Sequence, residues 1–180
     1  LLPTIPLIQA SPATEIYASP SSKKFYSPPA TIGQKFNITV GVKDVDDMKT
    51  WQIKMYYDDT IIMARKWWEK VNSSFVFYGS GTLPVPGPGI FTRGVGWVGF
   101  GSALFPAPSP GGGFSGNGFL CIMEFNITAV PPPGQTYSCD LDMTNKNPPS
   151  VDTFWIKTGE ATKRAFDTTT NGQVAIIPEF

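Results

Sequence analysis

Residues 33–62 read GQKFNITVGVKDVDDMKTWQIKMYYDDTII, and their alternation decides the fold class. Phe36, Ile38, Val40 and Val42 alternate with Asn37, Thr39, Gly41 and Lys43, the period of a strand with one buried face. A turn-like acidic cluster follows. Trp51, Ile53, Met55 and Tyr57 then alternate with Gln52, Lys54 and Tyr56 before Asp58-Asp59 closes the run. Two half-buried strands in succession predict a β-sandwich rather than an α/β enzyme.

The composition agrees. Glycine and proline number 18 each among 180 residues, which favours short strands and turns over helices. A chain of this length buries a substantial core as one domain. Fourteen basic and fourteen acidic residues cancel, so there is no broad positive field to attract nucleic acid. No uncharged apolar run reaches the length of a membrane-spanning helix, and the apolar head is broken at Pro3 and Pro6. That break also argues against a type IV pilin. The first residue is Leu1, which reads as a processed mature form or a fragment.

The organisation divides near Thr31. Residues 1–30 read as an extended segment: an uncharged head, LLPTIPLIQASPAT, and a Ser/Pro-rich connector, ASPSSKKFYSPPA. Residues 31–180 form the sandwich. Met63 to Phe77 resists typing, as a short helix or a closing loop. Tyr78 to Gly118 is a Gly/Pro-rich region with one strand candidate, GVGWVGFGSALF. Strands near 119–128 and 136–143 follow, then VDTFWIKTG and GQVAIIPEF, for about seven to nine strands.

Asn-x-Ser/Thr sequons stand at Asn37, Asn72 and Asn126. On the strand pattern, Asn37 and Asn126 fall on polar faces and reach solvent, so N-glycans are expected on a secreted chain. Cys121 and Cys139 are the only cysteines, and both share the buried parity of strand-like segments joined by a Pro131–Gly134 turn. Either they form a disulfide worth roughly 3 kcal/mol, or they are two free buried thiols.

With no histidine, a His-dependent triad and a His metal site are absent, and no phosphate loop or CxxC pair implies a cofactor. Asp44, Asp46, Asp47, Asp58 and Asp59 are the dense acidic cluster. They read as strand-end turn residues, with Asp44, Asp46 and Asp47 a weak calcium candidate. Trp51 and Trp97 read as core. Trp67, Trp68 and Trp155 would make a carbohydrate platform if two lay coplanar on an exposed sheet face.

The Gly33–Phe36 opening, Trp51-Gln52-Ile53, Tyr56-Tyr57-Asp58, and the later GFLCIMEFNIT, CDLDMTN and NGQVAII together resemble cohesin-like domains of prokaryotic surface proteins, archaeal ones included, over about residues 31–177. The resemblance implies a jelly-roll-like β-sandwich related to carbohydrate-binding modules, extracellular and non-enzymatic. No dockerin-recognition motif of the family carries over to particular residues.

Leu2, Ile5, Leu7 and Ile8 in the head would stabilise by roughly 5–9 kcal/mol if three were buried, before ordering costs. Ten extended residues reach about 33 Å. Residues 1–10 are therefore a candidate donor strand, added to a neighbouring subunit in a head-to-tail homopolymer, or alternatively an ordinary strand packed on their own domain. Two functions follow: a secreted structural subunit that forms a filament by donating this strand, or a cohesin-type protein-binding or carbohydrate-binding module at the cell surface.

Overall fold

The computed structural model describes residues 12–27, 29–146 and 151–178, and among them there is no helix. Twelve strands run in the order β1 (Glu15–Ser19), β2 (Ser22–Ser27), β3 (Lys35–Tyr56), β4 (Ile62–Trp68), β5 (Thr82–Val85), β6 (Thr92–Gly94), β7 (Trp97–Leu104), β8 (Phe114–Ile127), β9 (Tyr137–Leu141), β10 (Phe154–Lys157), β11 (Thr168–Thr170) and β12 (Gly172–Pro178). The all-β sandwich expected from the alternation is the fold observed.

The two alternating runs are one strand, not two joined by a turn. β3 spans 22 residues and carries the acidic cluster through its middle as a double bulge. Val42, Val45 and Met48 face Gly118, Gly116 and Phe114, so three residues of β3 are set against every two of β8. The extra residues are absorbed at Asp44 and Asp47, each at φ 55°, a left-handed conformation that Asp tolerates better than most non-glycine residues. Each three-residue step reverses the parity of the strand, so the two bulges together would restore it; a third such step, from Met48 to Trp51, where the pairing with β10 also shifts register, completes the change. The buried set thereby passes from Phe36, Ile38, Val40 and Val42 to Trp51, Ile53 and Met55, and both halves face the core.

The bulges also let β3 serve two sets of neighbours. Its first half lies between β1 and β8, with β4 beyond β8; its second half lies between β7 and β10, with β5 and β6 beyond β7. β2, β12 and β9 form a separate three-stranded sheet, tied to β3 by a bridge between Tyr56 and Asp142. The core between these layers contains Trp51, Trp67, Phe100, Phe125, Met123, Leu141, Val174 and Ile176. Trp67, from the stretch whose type the sequence leaves open, lies on β4 and is 1% exposed.

The domain boundary moves. The sandwich begins at Glu15, not Thr31: β1 pairs with β3 and β11, and β2 pairs with β12. Ile16 and Ala18 are buried, so part of the supposed connector is core. The two parallel ladders, β1 on β11 and β2 on β12, continue one another, and between them the paired chains pass from the large sheet to the small one. The donor-strand residues Leu2, Ile5, Leu7 and Ile8 lie outside the described residues.

Candidate binding face

Opposite the core, the second half of β3 and its neighbours expose a broad sheet face. Register sets its rows. Thr50, Gln52, Lys54 and Tyr56 on β3 stand beside Ala103, Gly101, Gly99 and Trp97 on β7. Leu83 and Val85 on β5 flank Ala103 and Gly101 from the other side. The central strand thus presents almost no side chain between walls of larger residues, and a hollow of about 220 Å³ opens there, lined by Gln52, Val85, Thr92, Trp97, Gly99 and Phe100.

The glycine floor is required by packing. A methyl group on Gly101 would overlap the Trp51 carbonyl oxygen and come within 3.0 Å of Gln52 Cα, because β3 and β7 approach closely there. At the end of the row, the Trp97 indole lies over Gly94, where a methyl would penetrate the ring. Lys54 Nζ sits 4.5 Å from the centre of that indole and 3.1 Å from Asp152 Oδ2. Gln52 donates to the Asp152 carbonyl at 2.9 Å. These polar side chains are held by neighbours, whereas Leu83 and Val85 are 50% and 63% exposed. Phe105 extends the same rim and is also exposed.

No protein-family model matches the chain, and no curated protein does. Solved structures do. A non-cellulosomal cohesin from the archaeon Archaeoglobus fulgidus superposes at TM-score 0.59 with 14% identity, covering 92% of this chain and 91% of that one. A type I cohesin–dockerin complex from Clostridium thermocellum gives TM-score 0.63 at 13% identity, over 95% and 99%. The sixth scaffoldin B cohesin of Acetivibrio cellulolyticus, in complex with a dockerin, gives 0.58 at 14%, over 93% and 100%. The fold is cohesin-like.

In this cohesin-like domain the acidic cluster is structural. Asp47 Oδ2 accepts the Gly111 N–H at 2.8 Å and Oδ1 the Gly113 N–H at 2.7 Å. Its own N–H donates to Ser115 Oγ at 2.9 Å, and its carbonyl accepts the Thr158 N–H at 2.8 Å. One buried carboxylate therefore pins the Pro/Gly loop across β3. Asp46 pairs instead with Lys157, and the Asp44 N–H donates to Asn117. The calcium candidate is corrected: the Asp46 and Asp47 carboxylates are taken by different protein partners, and no group of three or more His, Cys, Asp or Glu residues converges on a metal position among the described residues. Asp58 caps its own turn through the Thr60 N–H and hydroxyl, and Asp59 accepts the Gly96 N–H.

The Gly111 and Gly113 N–H groups and the Thr158 hydroxyl hold the Asp47 carboxyl below its ordinary value of 3.8, against desolvation that pushes it up. A depressed carboxylate stabilises the fold above its unfolded value, and that contribution is lost as pH falls through the folded one. Wild type should thus lose stability progressively below about pH 4, and Asp47→Asn should be less stable at neutral pH with a flatter acid limb. Urea midpoints from pH 7 down to pH 2 test this; parallel curves for both proteins would refute it.

The disulfide alternative is also corrected. Cys121 and Cys139 are free and buried. Their strands do not form a hairpin: Cys121 on β8 pairs with Val40 in the large sheet, and Cys139 on β9 pairs with Val174 in the small one. The Cys139 sulfur accepts the Asp58 N–H at 3.2 Å. Burial raises both thiols, Cys139 to about 11 and Cys121 well above its ordinary value. Neither should react with iodoacetamide in the native protein at mildly alkaline pH, and both should once it is unfolded. Mass spectrometry of the alkylated protein checks this; native labelling of Cys121 would contradict it.

Of the three tryptophans considered for a platform, Trp67 and Trp155 are buried and only Trp68 is half-buried, so no two of them share an exposed face. Trp51 is buried as expected, and Trp97, expected in the core, lies half-buried on the outer face. Among the sequons, Asn37 and Asn72 are exposed and Asn126 is half-buried. The only mark of the outer face in the sequence is the alternation of Gly99, Gly101 and Ala103 with Val98, Phe100 and Ser102.

Proposed function

We propose that the domain is a non-catalytic, extracellular protein-binding module and that it engages its partner through the outer face of β3, β7 and β5. The observation carrying this reading is the juxtaposition of exposed Leu83 and Val85 with a bare glycine floor: a shallow trough with an apolar wall on one side and the polar Gln52 and Lys54 on the other suits a protein surface with protruding side chains. The cohesin-like fold supports it, since solved cohesins of this shape are held by dockerins. Among the described residues, no helix is long and apolar enough to cross a membrane.

The test is equilibrium binding of the wild-type domain and of Leu83→Asp/Val85→Arg to calcium-loaded dockerin modules and to the partner recovered by cross-linking from its own cells. A loss of tenfold or more in the double variant, at unchanged melting temperature, is expected. Undiminished affinity would reject the face as the binding site.

The filament reading keeps one supporting observation. Thr14 is fixed to Asp167 through its N–H at 2.7 Å and its hydroxyl at 2.8 Å. Residues 1–10 adjoin this tethered position in sequence, and in the filament reading Leu2, Ile5, Leu7 and Ile8 are donated to a neighbouring copy from that fixed point. Removal of residues 1–10 should then abolish fibres seen by negative-stain microscopy while leaving a folded domain; fibres from the truncated protein would refute it.

A further inference from the structure

The three sequons stand in three different backbone settings, and the differences rank them. Asn72 follows β4 in a turn whose four residues from Val71 to Ser74 are all exposed. Its Oδ1 accepts the N–H of Ser74 at 2.9 Å, and its carbonyl accepts the Phe75 N–H at 3.0 Å. This is an Asx turn. It folds the hydroxyl residue of the sequon, Ser74, back toward the Asn72 side chain and leaves Nδ2 without a hydrogen bond among the described residues.

Asn37 is exposed but lies in an extended strand. It faces Glu124 across the ladder with β8, and the hydroxyl residue of its sequon, Thr39, is paired on both edges, with Ile122 and Ser19. Bending this sequon means opening the end of the sheet. Asn126 is worse placed. It is paired on both edges, with Lys35 and Met63, its Oδ1 is buried without a partner, and its Nδ2 points at the Ile127 carbonyl at 3.5 Å. The hydroxyl of Thr128 is directed at the Asp59 carbonyl.

We propose that Asn72 is the principal acceptor of an N-linked glycan, that Asn37 is a less occupied second acceptor, and that Asn126 is not modified. In the transfer, Asn72 Nδ2 forms a bond to the anomeric carbon of a sugar carried on a polyprenyl phosphate or diphosphate. The bond from that carbon to the phosphate oxygen breaks, Nδ2 loses one proton, and the polyprenyl phosphate or diphosphate, whichever carried the sugar, leaves; nothing is oxidised or reduced. The exposed Val71 beside the acceptor would then lie against the first sugar rather than open water.

The experiment is glycopeptide mass spectrometry on the protein isolated from its own cells, reading occupancy at each asparagine. Occupancy highest at Asn72, lower at Asn37 and absent at Asn126 is the expected result. An unmodified chain, a glycan on Asn126, or higher occupancy at Asn37 than at Asn72 would overturn the proposal. Ser74→Ala, made in the same cells, removes the hydroxyl but keeps the backbone N–H that closes the turn. It should lose the Asn72 glycan alone while circular dichroism reports an unchanged sandwich. A glycan persisting on Asn72 in that variant would also overturn it.

Discussion

Replacing Trp67 by alanine is expected to reduce the free energy of unfolding by about 3–5 kcal/mol, a large share of the 5–15 kcal/mol typical of a domain. Trp67 is 1% exposed, its ring centre lies 5.8 Å from that of Trp51 and 4.9 Å from that of Phe100, and alanine would leave a cavity between the layers. The indole has a second role: its Nε1 donates to the Ile90 carbonyl at 2.7 Å and fixes the loop between β5 and β6. Trp67→Phe separates the two. It retains an aromatic ring in the core and removes only the hydrogen bond and part of the packing, so a smaller loss of about 1–2 kcal/mol is expected. Urea unfolding followed by far-ultraviolet circular dichroism measures both. Equal losses would mean that the loop tether, not core packing, dominates at this position.

Gly101→Ala should cost about 1–3 kcal/mol although it adds a single methyl group. Such a change at an ordinary exposed strand position is close to neutral or mildly stabilising. Here the added carbon meets backbone, the Trp51 carbonyl and Gln52 Cα, and backbone cannot turn aside as a side chain can. Relief requires β3 and β7 to separate where seven residue pairs join them. Gly99→Ala is the control: its nearest neighbour would be the Trp97 ring edge at 3.4 Å, so its cost should be clearly smaller. A Gly101→Ala protein with the wild-type urea midpoint would show that the close approach does not constrain the strand pair.

What could be read in the chain beforehand follows from what is local. The alternation of Phe36 to Val42 and of Trp51 to Met55 reports burial directly, because side-chain direction along a strand depends only on parity. The stretch between them was legible as irregular but not as a bulge. Whether Asp44 and Asp47 end a strand or lengthen it depends on β8, more than sixty residues away in sequence. Asp47 is the clearest case: its partners Gly111, Gly113 and Thr158 leave no mark near position 47. β1 and β2 were missed because five- and six-residue strands around Pro20 look like a connector until β3 and β12 are set beside them. The outer face of β3, β7 and β5 was only partly legible: the alternation of glycines with Val98, Phe100 and Ser102 is local, but only register places Leu83 and Val85 beside it.

The parallel pairing of the first strands with the last has a mechanical consequence. Glu15 lies beside Thr168 at one end of the paired ladders, and Ser27 lies beside Pro178 at the other. A pull applied between the two ends of the described chain therefore acts along these strands, not across them. The bonds of both ladders carry the load together, in shear, and must fail nearly at once instead of opening one by one like a zip. A domain pulled through both ends of the described chain would carry the tension along these two parallel ladders.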